Sequence, residues 1–566
     1  MKITGAEAVI ESLRKEQVQV VFGYPGGAVL SLYDALYRMK FPHILTGHEQ
    51  GAVHAADGYA RATGKVGVCF ATSGPGVCNM VTGIATANMD SIPLVIISGQ
   101  VATSLIGQDA FQEADTAGIT TPITKYNYLV RKVENLPQVL KEAFYIARTG
   151  RPGPVLIDIV TDVFDARLDF HYPKEVHLLG YQGSQHPRRA DVQRAAEALR
   201  RARRPVIMAG GGVVLSDTGG ELTRLAEKTG IPVVTTLMGK GAVPDTLPQH
   251  LGMLGMHGSY AANMAVSGCD LLLAFGVRFD ERSTAKASLF APAARIVHFN
   301  VEPGEINKII PVQVAVPGDL RESLPLFAQL AEPLAAACKE QTAPWREQGE
   351  AMKEEVPCTA HACRGGISPE TALKKAAARA PQDTIVVTDV GQHQMWAAQF
   401  FPTREARHFI TSGGLGTMGY GLPAALGAQL GEPDKPVVLV TGDGSILMNC
   451  QEFATLHKYG IAVKTVVLRN NTLGMVHQWQ GMFYKGHFAE SDLTANPSIA
   501  GIARSMGVPA WTVEKENQLP EALGQLFAQE GPALLEVTIP PDENVYPMVP
   551  GGKKLDEMVV TGGDQP

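Results

Sequence analysis

A chain of 566 residues is too long for one hydrophobic core and is expected to divide into about three or four domains. Its 45% apolar and 19% charged residues are globular values, and a net charge of −7 without a basic stripe argues against a nucleic-acid partner. No run of about 18 apolar residues predicts a membrane span, and the seven cysteines form no paired framework.

Residues 1–19 are patterned as an amphipathic helix without a long apolar stretch, so no secretory signal is read and a cytoplasmic location is expected. From 5 to about 162, helical segments alternate with short buried strands at 18–22, 66–70, 94–97 and 155–158. That alternation predicts a parallel sheet with crossover helices. The first three strands run into turns, Gly23-Tyr24-Pro25-Gly26-Gly27, the segment 71–76 and Ser98-Gly99-Gln100, which together would line one rim. Glu49 falls just before a small-residue helix over 52–63, where a carboxylate can cap the helix as readily as it can serve chemistry.

A second α/β unit spans 186–327, with strands at 205–209, 232–236, 271–275 and 296–299. Gly210-Gly211-Gly212 follows the first of these and would let the backbone approach a nucleotide phosphate, although it is not a G-x-G-x-x-G. The flanking segments 172–189 and 341–366 read as interdomain linkers. Cys358, His361 and Cys363 lie in a hydrophilic stretch without a second ligand pair, and no zinc site is read there.

A third unit begins at 368, and its first strand leads into Asp389-Val390-Gly391-Gln392-His393. Its centre is 436–474, an apolar run, a glycine turn, a helical stretch with Phe453, Leu456 and His457, and a second apolar run. Asp443, between Gly442 and Gly444, closes the first run, and Asn470 closes the second 27 positions later. Their oxygens therefore meet at adjacent strand ends, where ligands of open α/β sheets bind. A small hard cation takes oxygen ligands at about 2.0–2.1 Å and completes its shell with phosphate oxygens. Gly442 and Gly444 would admit the phosphates, and Ser445 opens a helix whose free N–H groups favour anions. The tail from 544 lacks a core pattern and reads as a mobile cover.

Gly-Asp-Gly followed by Asn at this spacing resembles the thiamine diphosphate (ThDP) fingerprint, in which Asp443, Asn470 and the Thr472 carbonyl would hold Mg²⁺, with Asn471 as the alternative to Asn470. Over nearly the whole chain, segments such as His48-Glu49-Gln50-Gly51-Ala52, Asp109-Ala110-Phe111-Gln112-Glu113, Arg278-Phe279-Asp280-Glu281-Arg282, Gly413-Gly414-Leu415-Gly416-Thr417-Met418-Gly419 and Gly474-Met475-Val476-His477-Gln478-Trp479 resemble acetohydroxyacid synthase (acetolactate synthase) large subunits.

The resemblance implies an α/β fold of three doubly wound parallel-sheet domains: pyrimidine-binding (1–170), central Rossmann-like and FAD-binding (186–340) and diphosphate-binding (366–543), then a tail or lid (544–566). It implies decarboxylation of pyruvate and ligation of the two-carbon unit to a second pyruvate or to 2-ketobutyrate, with ThDP, Mg²⁺ and FAD as cofactors. Glu49 would contact the aminopyrimidine, Tyr24, Pro25 and Gly26 would line the cofactor rim, and Gly27, Gln112 and Phe111 would surround the reacting groups. Val390, Gly391, Gln392, His393, Gly444 and Ser445 would bind the diphosphate, while Gly416, Thr417 and Met418 would hold the cofactor bent. Gly210, Gly211, Gly212 and Arg278 would contact the flavin, Arg282 the acceptor carboxylate and Trp479 its alkyl group. It further implies a homo-oligomer, dimer or tetramer, with Glu49 and Asp443 from different subunits, and allows a small regulatory subunit. The rival readings are a flavin-dependent pyruvate oxidase, a flavin-free catabolic acetolactate synthase and a non-catalytic nucleotide-binding protein.

Overall fold

The computed structural model describes residues 2–183, 185–356 and 366–561. Its frame is three six-stranded sheets, every strand pairing in parallel. Numbered along the chain, β1 (Lys2–Thr4) and β8 (Arg167–Asp169) form a separate antiparallel pair. The first sheet has β2 (Val21–Gly23), β3 (His43–Leu45), β4 (Gly67–Ala71), β5 (Leu94–Gln100), β6 (Tyr126–Val130) and β7 (Pro154–Val160), in the order β3-β2-β4-β5-β7-β6. The second has β9 (Pro205–Ala209), β10 (Val233–Thr235), β11 (His250–Met253), β12 (Leu271–Phe275), β13 (Arg295–Asn300) and β14 (Val314–Pro317), in the order β11-β10-β9-β12-β13-β14. The third has β15 (Ile385–Thr388), β16 (Phe409–Ile410), β17 (Val437–Gly442), β18 (Lys464–Arg469), β19 (Ala510–Val513) and β20 (Ala533–Thr538), in the order β16-β15-β17-β18-β20-β19.

The first and third sheets thus share one strand order, and the second has the order of dinucleotide-binding domains. Most of the strands are buried along their length because helices cover both faces of each sheet, which is why they read as unbroken apolar runs. Each sheet has a switch point where the chain first reverses direction across it: β2/β4, β9/β12 and β15/β17.

The helix Glu49–Thr63 packs against the helix Gly421–Gly431, joining the first and third sheets into one core. The approach is possible only because of glycine. A Cβ on Gly58 would stand 2.0 Å from the Ala424 carbonyl oxygen, and one on Gly427 would stand 1.8 Å from that of Ala55.

Three expectations change. Ser98-Gly99-Gln100 is the end of β5, paired with Asp158, Ile159 and Val160, and not a turn. Residues 341–356 are largely helical: in the helix Ala343–Glu355, Trp345 is buried against Val206 and Leu251, and its indole N–H donates to the Pro205 carbonyl at 3.2 Å. One aromatic anchor in a charged segment gave no period to detect. The tail is docked, with Val545, Met548, Val549, Leu555 and Val559 buried and the Val549 N–H donating to the Met256 carbonyl at 2.7 Å. It lies across two domains, so its apolar residues follow neither a helical nor a strand period. Cys358, His361 and Cys363 lie outside the described residues. Among the described residues, no helix is long and apolar enough to cross a membrane.

Candidate active site

A cavity of about 100 Å³ sits at the β15/β17 switch point, lined by Gly391, His393, Gly444, Ser445, Asn470 and Thr472 among others. Asp443, the residue after β17, also lines it; its Oδ2 accepts the Asn471 N–H at 2.8 Å, and burial pushes its carboxyl up to about 6. A cation beside this carboxyl would restore its charged form. Asn470, the residue after β18, lines the cavity, and its Oδ1 accepts the Thr472 N–H at 3.1 Å. Asn471 is turned away at φ 55°, its Oδ1 accepting from Arg469 Nε at 2.7 Å. Of the two asparagines, only Asn470 lines the cavity.

His393 is buried with its Nε2 unpartnered among the described residues, and burial pushes its imidazole down to about 3, leaving it neutral. Gly391 and Gly442 are required beside it, because a Cβ on either would come within 3.0 Å of the ring. Ser445 Oγ donates to the Val390 carbonyl at 3.3 Å. An unpartnered neutral imidazole, two glycines and a buried carboxylate form a cradle that fits a diphosphate with its cation.

A second cavity, of about 450 Å³, shares Val390, Gly391, Met418, Met475 and Val476 with the first and runs into the central unit. Its far end is the β9/β12 switch point. The Gly212 N–H donates to the Gly276 carbonyl at 3.0 Å, and a Cβ on Gly210 would stand 2.3 Å from that oxygen. Gly211 and Gly212 line the cavity; Gly210 shapes it from behind. Such a volume beside crossing glycines fits a nucleotide cofactor. Gly416, at φ 70°, and Met418 line the stretch between the two ends. Thr417 is held by the Thr86 hydroxyl, 2.7 Å from its own.

Arg278 lines this cavity, donating to the Met89 carbonyl with Asp280 4.0 Å away. Arg282 and Trp479 line it too. Among the described residues Arg282 pairs with no carboxylate, and its Nη1 donates to Met256 Sδ at 3.0 Å. Its guanidinium is therefore available to an anion.

Arg61, Asp90 and Arg151 of the first unit line the larger cavity, but the site residues predicted in that unit line neither. Glu49 begins its helix next to Asn79, whose Nδ2 donates to Glu49 Oε2 at 2.9 Å, and it lines neither cavity. Gly26 packs on Thr72, where a Cβ would stand 2.5 Å from the Thr72 Cβ, while Gly27 faces open space. Pro25 follows Tyr24 on the same rim, and Tyr24 is exposed. Gln112, at φ 59°, rests its backbone against Gly74, and the neighbouring Phe111 is 88% exposed.

Sequence reasoning missed a buried network behind the Gly413–Gly416 loop. Arg61 Nε donates to Asp57 Oδ1 at 2.6 Å and its Nη2 to Asp90 Oδ2 at 2.9 Å, while Asp90 accepts the N–H groups of Gly413 and Gly414. The Tyr420 hydroxyl donates to Asp57 at 2.7 Å. Asp57 and Arg61, four apart in a small-residue helix, were the available signal.

Three thiamine pyrophosphate enzyme families match the chain in order: the N-terminal TPP binding domain over residues 3–119, the central domain over 192–326 and the C-terminal TPP binding domain over 389–537. Fold and site together define a thiamine diphosphate-dependent enzyme. The chain is 47% identical to the acetolactate synthase large subunit of Parasynechococcus marenigrum strain WH8102, over 98% of this chain and 91% of that one. It is 45% identical to the probable acetolactate synthase large subunit of Methanocaldococcus jannaschii (98% and 95%), and 44% identical to the isozyme 2 large subunit of Escherichia coli K12 (98% and 99%). The chain belongs to the acetolactate synthase large-subunit family.

Proposed function

We infer that this chain is the catalytic subunit of an acetolactate synthase acting in branched-chain amino acid biosynthesis. It decarboxylates pyruvate and joins the two-carbon unit to a second 2-keto acid, pyruvate or 2-ketobutyrate. The observation that carries this reading is that the two cavities share Met418 in their linings, so the cradle of Asp443 and Asn470 adjoins a cavity lined by Trp479 and by Arg282, which pairs with no carboxylate among the described residues. Bound thiamine diphosphate supplies the electron sink for decarboxylation.

In this reading Asp443, Asn470 Oδ1 and the Thr472 carbonyl hold Mg²⁺, and His393 and the backbone of Val390 to Gln392 hold the diphosphate. Gly416 and Met418 support the bent cofactor, with Thr417 fixing their height through Thr86. Arg282 takes the acceptor carboxylate with its fork of donors, and Trp479 packs on the acceptor's alkyl group. The cavity at Gly210 to Gly212 and Arg278 holds FAD, which the net reaction neither oxidises nor reduces.

Glu49 reaches the aminopyrimidine of a neighbouring subunit in a homo-oligomer, together with the rim of Tyr24, Pro25, Gly26 and Gly27 and the Phe111–Gln112 loop. The exposure of Phe111 supports this. The domains divide near 170, 186 and 366, with the helix ending at Glu355 assigned to the central one. The enzyme is placed in the cytoplasm.

The test is product identification. The purified protein is incubated with pyruvate, ThDP and Mg²⁺, with and without FAD, while oxygen is monitored. Acetolactate without oxygen uptake is expected; acetate with peroxide would establish an oxidase instead, and full activity without flavin would remove FAD from the assignment.

A further inference from the structure

Three buried amides form a chain whose orientation the backbone dictates. The Glu543 carbonyl can only accept, so the group of Gln392 that meets it at 2.9 Å is its Nε2, and Gln392 Oε1 faces the other way. Asn470, 3.1 Å from that oxygen, must present its Nδ2 to it. The Thr472 N–H can only donate, and it meets the remaining Asn470 oxygen at 3.1 Å. Gln478, on the helix Gly474–Phe483, closes the chain. Its Oε1 accepts from Gln392 Nε2 at 3.0 Å and from the Val545 N–H at 2.9 Å, and its Nε2 donates to the Val545 carbonyl at 3.2 Å. Every donor points to an acceptor, and reversing any one amide would set two like groups against each other.

Gly474 makes room for the chain, since a Cβ there would stand 2.0 Å from Gln392 Oε1 and 2.8 Å from Asn470 Nδ2. All three amides are buried, so an amide that lost its partner would gain no water in exchange. The Gln392 side chain is engaged with Asn470, Gln478 and Glu543, which leaves its backbone for a diphosphate.

We propose that Gln478 is a positioning residue that acts through Gln392 to keep the Asn470 amide oxygen aimed at the cation pocket, and that the same chain ties this orientation to the docking of residues 543–545. The proposal rests on the reading of Asp443, Asn470 and Thr472 as cation ligands. If docking favours the cation, the cation favours docking by the same factor.

The experiment uses the full-length protein with ThDP and Mn²⁺ as a paramagnetic probe. Mn²⁺ affinity is read by electron paramagnetic resonance, and amide exchange over 543–549 by mass spectrometry. Gln478→Leu is expected to raise the Mn²⁺ dissociation constant about tenfold, the scale of losing a partner one step behind a ligand. Its flavin content should be unchanged, and exchange in the tail should quicken. In the unaltered protein, Mn²⁺ with ThDP is expected to slow exchange at 543–549, a result that needs no variant to fold. Unchanged Mn²⁺ affinity in Gln478→Leu, or tail exchange indifferent to the cation, overturns the coupling. An unaltered protein that binds no Mn²⁺ with ThDP overturns the cation-site reading beneath it.

Discussion

Both carboxylate oxygens of Glu452 accept the N–H of Gly47, at 3.0 and 3.2 Å, so the diphosphate-side helix Glu452–Tyr459 holds the turn that leads through the N-cap His48 into the helix beginning at Glu49. Thr455 Oγ1 donates to the same carboxylate at 2.7 Å, and Gly51 leaves it space, since a Cβ there would stand 2.3 Å from Glu452 Oε1. A contact within one chain thus sets the entry angle of Glu49.

Burial pushes the Glu452 carboxyl up to about 7 from its ordinary 4.5. Between those values the folded protein binds more protons than the unfolded chain, so this group's contribution falls as pH rises through the window and is constant above it. Glu452→Gln keeps an oxygen for Gly47 and removes the titration. The unaltered protein should therefore lose stability relative to the variant between about pH 4.5 and pH 7. Thermal unfolding of both across that range checks this, and a difference independent of pH refutes it.

Asp90→Ala should destabilise the protein by about 3–5 kcal/mol in denaturant unfolding, because it leaves the buried Arg61 with one carboxylate and the N–H groups of Gly413 and Gly414 with none. An effect below about 1 kcal/mol would show that water replaces the carboxylate.

Gly427→Ala should force apart the helices Glu49–Thr63 and Gly421–Gly431, since its Cβ would stand 1.8 Å from the Ala55 carbonyl oxygen. The expected cost is about 1–3 kcal/mol or more. Gly524→Ala, where a Cβ meets nothing within 4 Å, is the matched control and should be neutral or mildly stabilising.

Glu49→Gln and Asp443→Asn should each abolish most acetolactate formation, but mixed subunits should recover about a quarter of the unaltered activity. Half the dimers are mixed, and each holds one site with both residues intact. Sites built within one chain would instead give no recovery on mixing. Chelation should inactivate the unaltered protein, with Mg²⁺ restoring it.

Arg282→Ala should lower kcat/KM for pyruvate by about ten- to a hundredfold, with Arg282→Lys recovering only part, because an ammonium lacks the fork of donors. Trp479→Leu should shift the choice between 2-ketobutyrate and pyruvate by about 1–3 kcal/mol, the scale of one methylene in an apolar pocket. Competition between the two acceptors measures it.

Sequence by itself determined the three parallel sheets and the glycine turns after β2, β4 and β17, though not the end of β5, where Ser98-Gly99-Gln100 continues the strand, because buried parallel strands are local apolar runs. It also determined the pairing of Asp443 with Asn470 or Asn471, since both requirements are local. Only the tertiary structure decided between the two asparagines, where a left-handed backbone turns Asn471 towards Arg469. The docking of the tail, the burial of Trp345, the bonding of Gly47 to Glu452 and the amide chain through Gln478 were likewise decided there. Each joins residues from 67 to 405 positions apart. Their hydrogen bonds and contacts leave no period in the chain, because the partner that satisfies each group comes from a different domain or a distant strand.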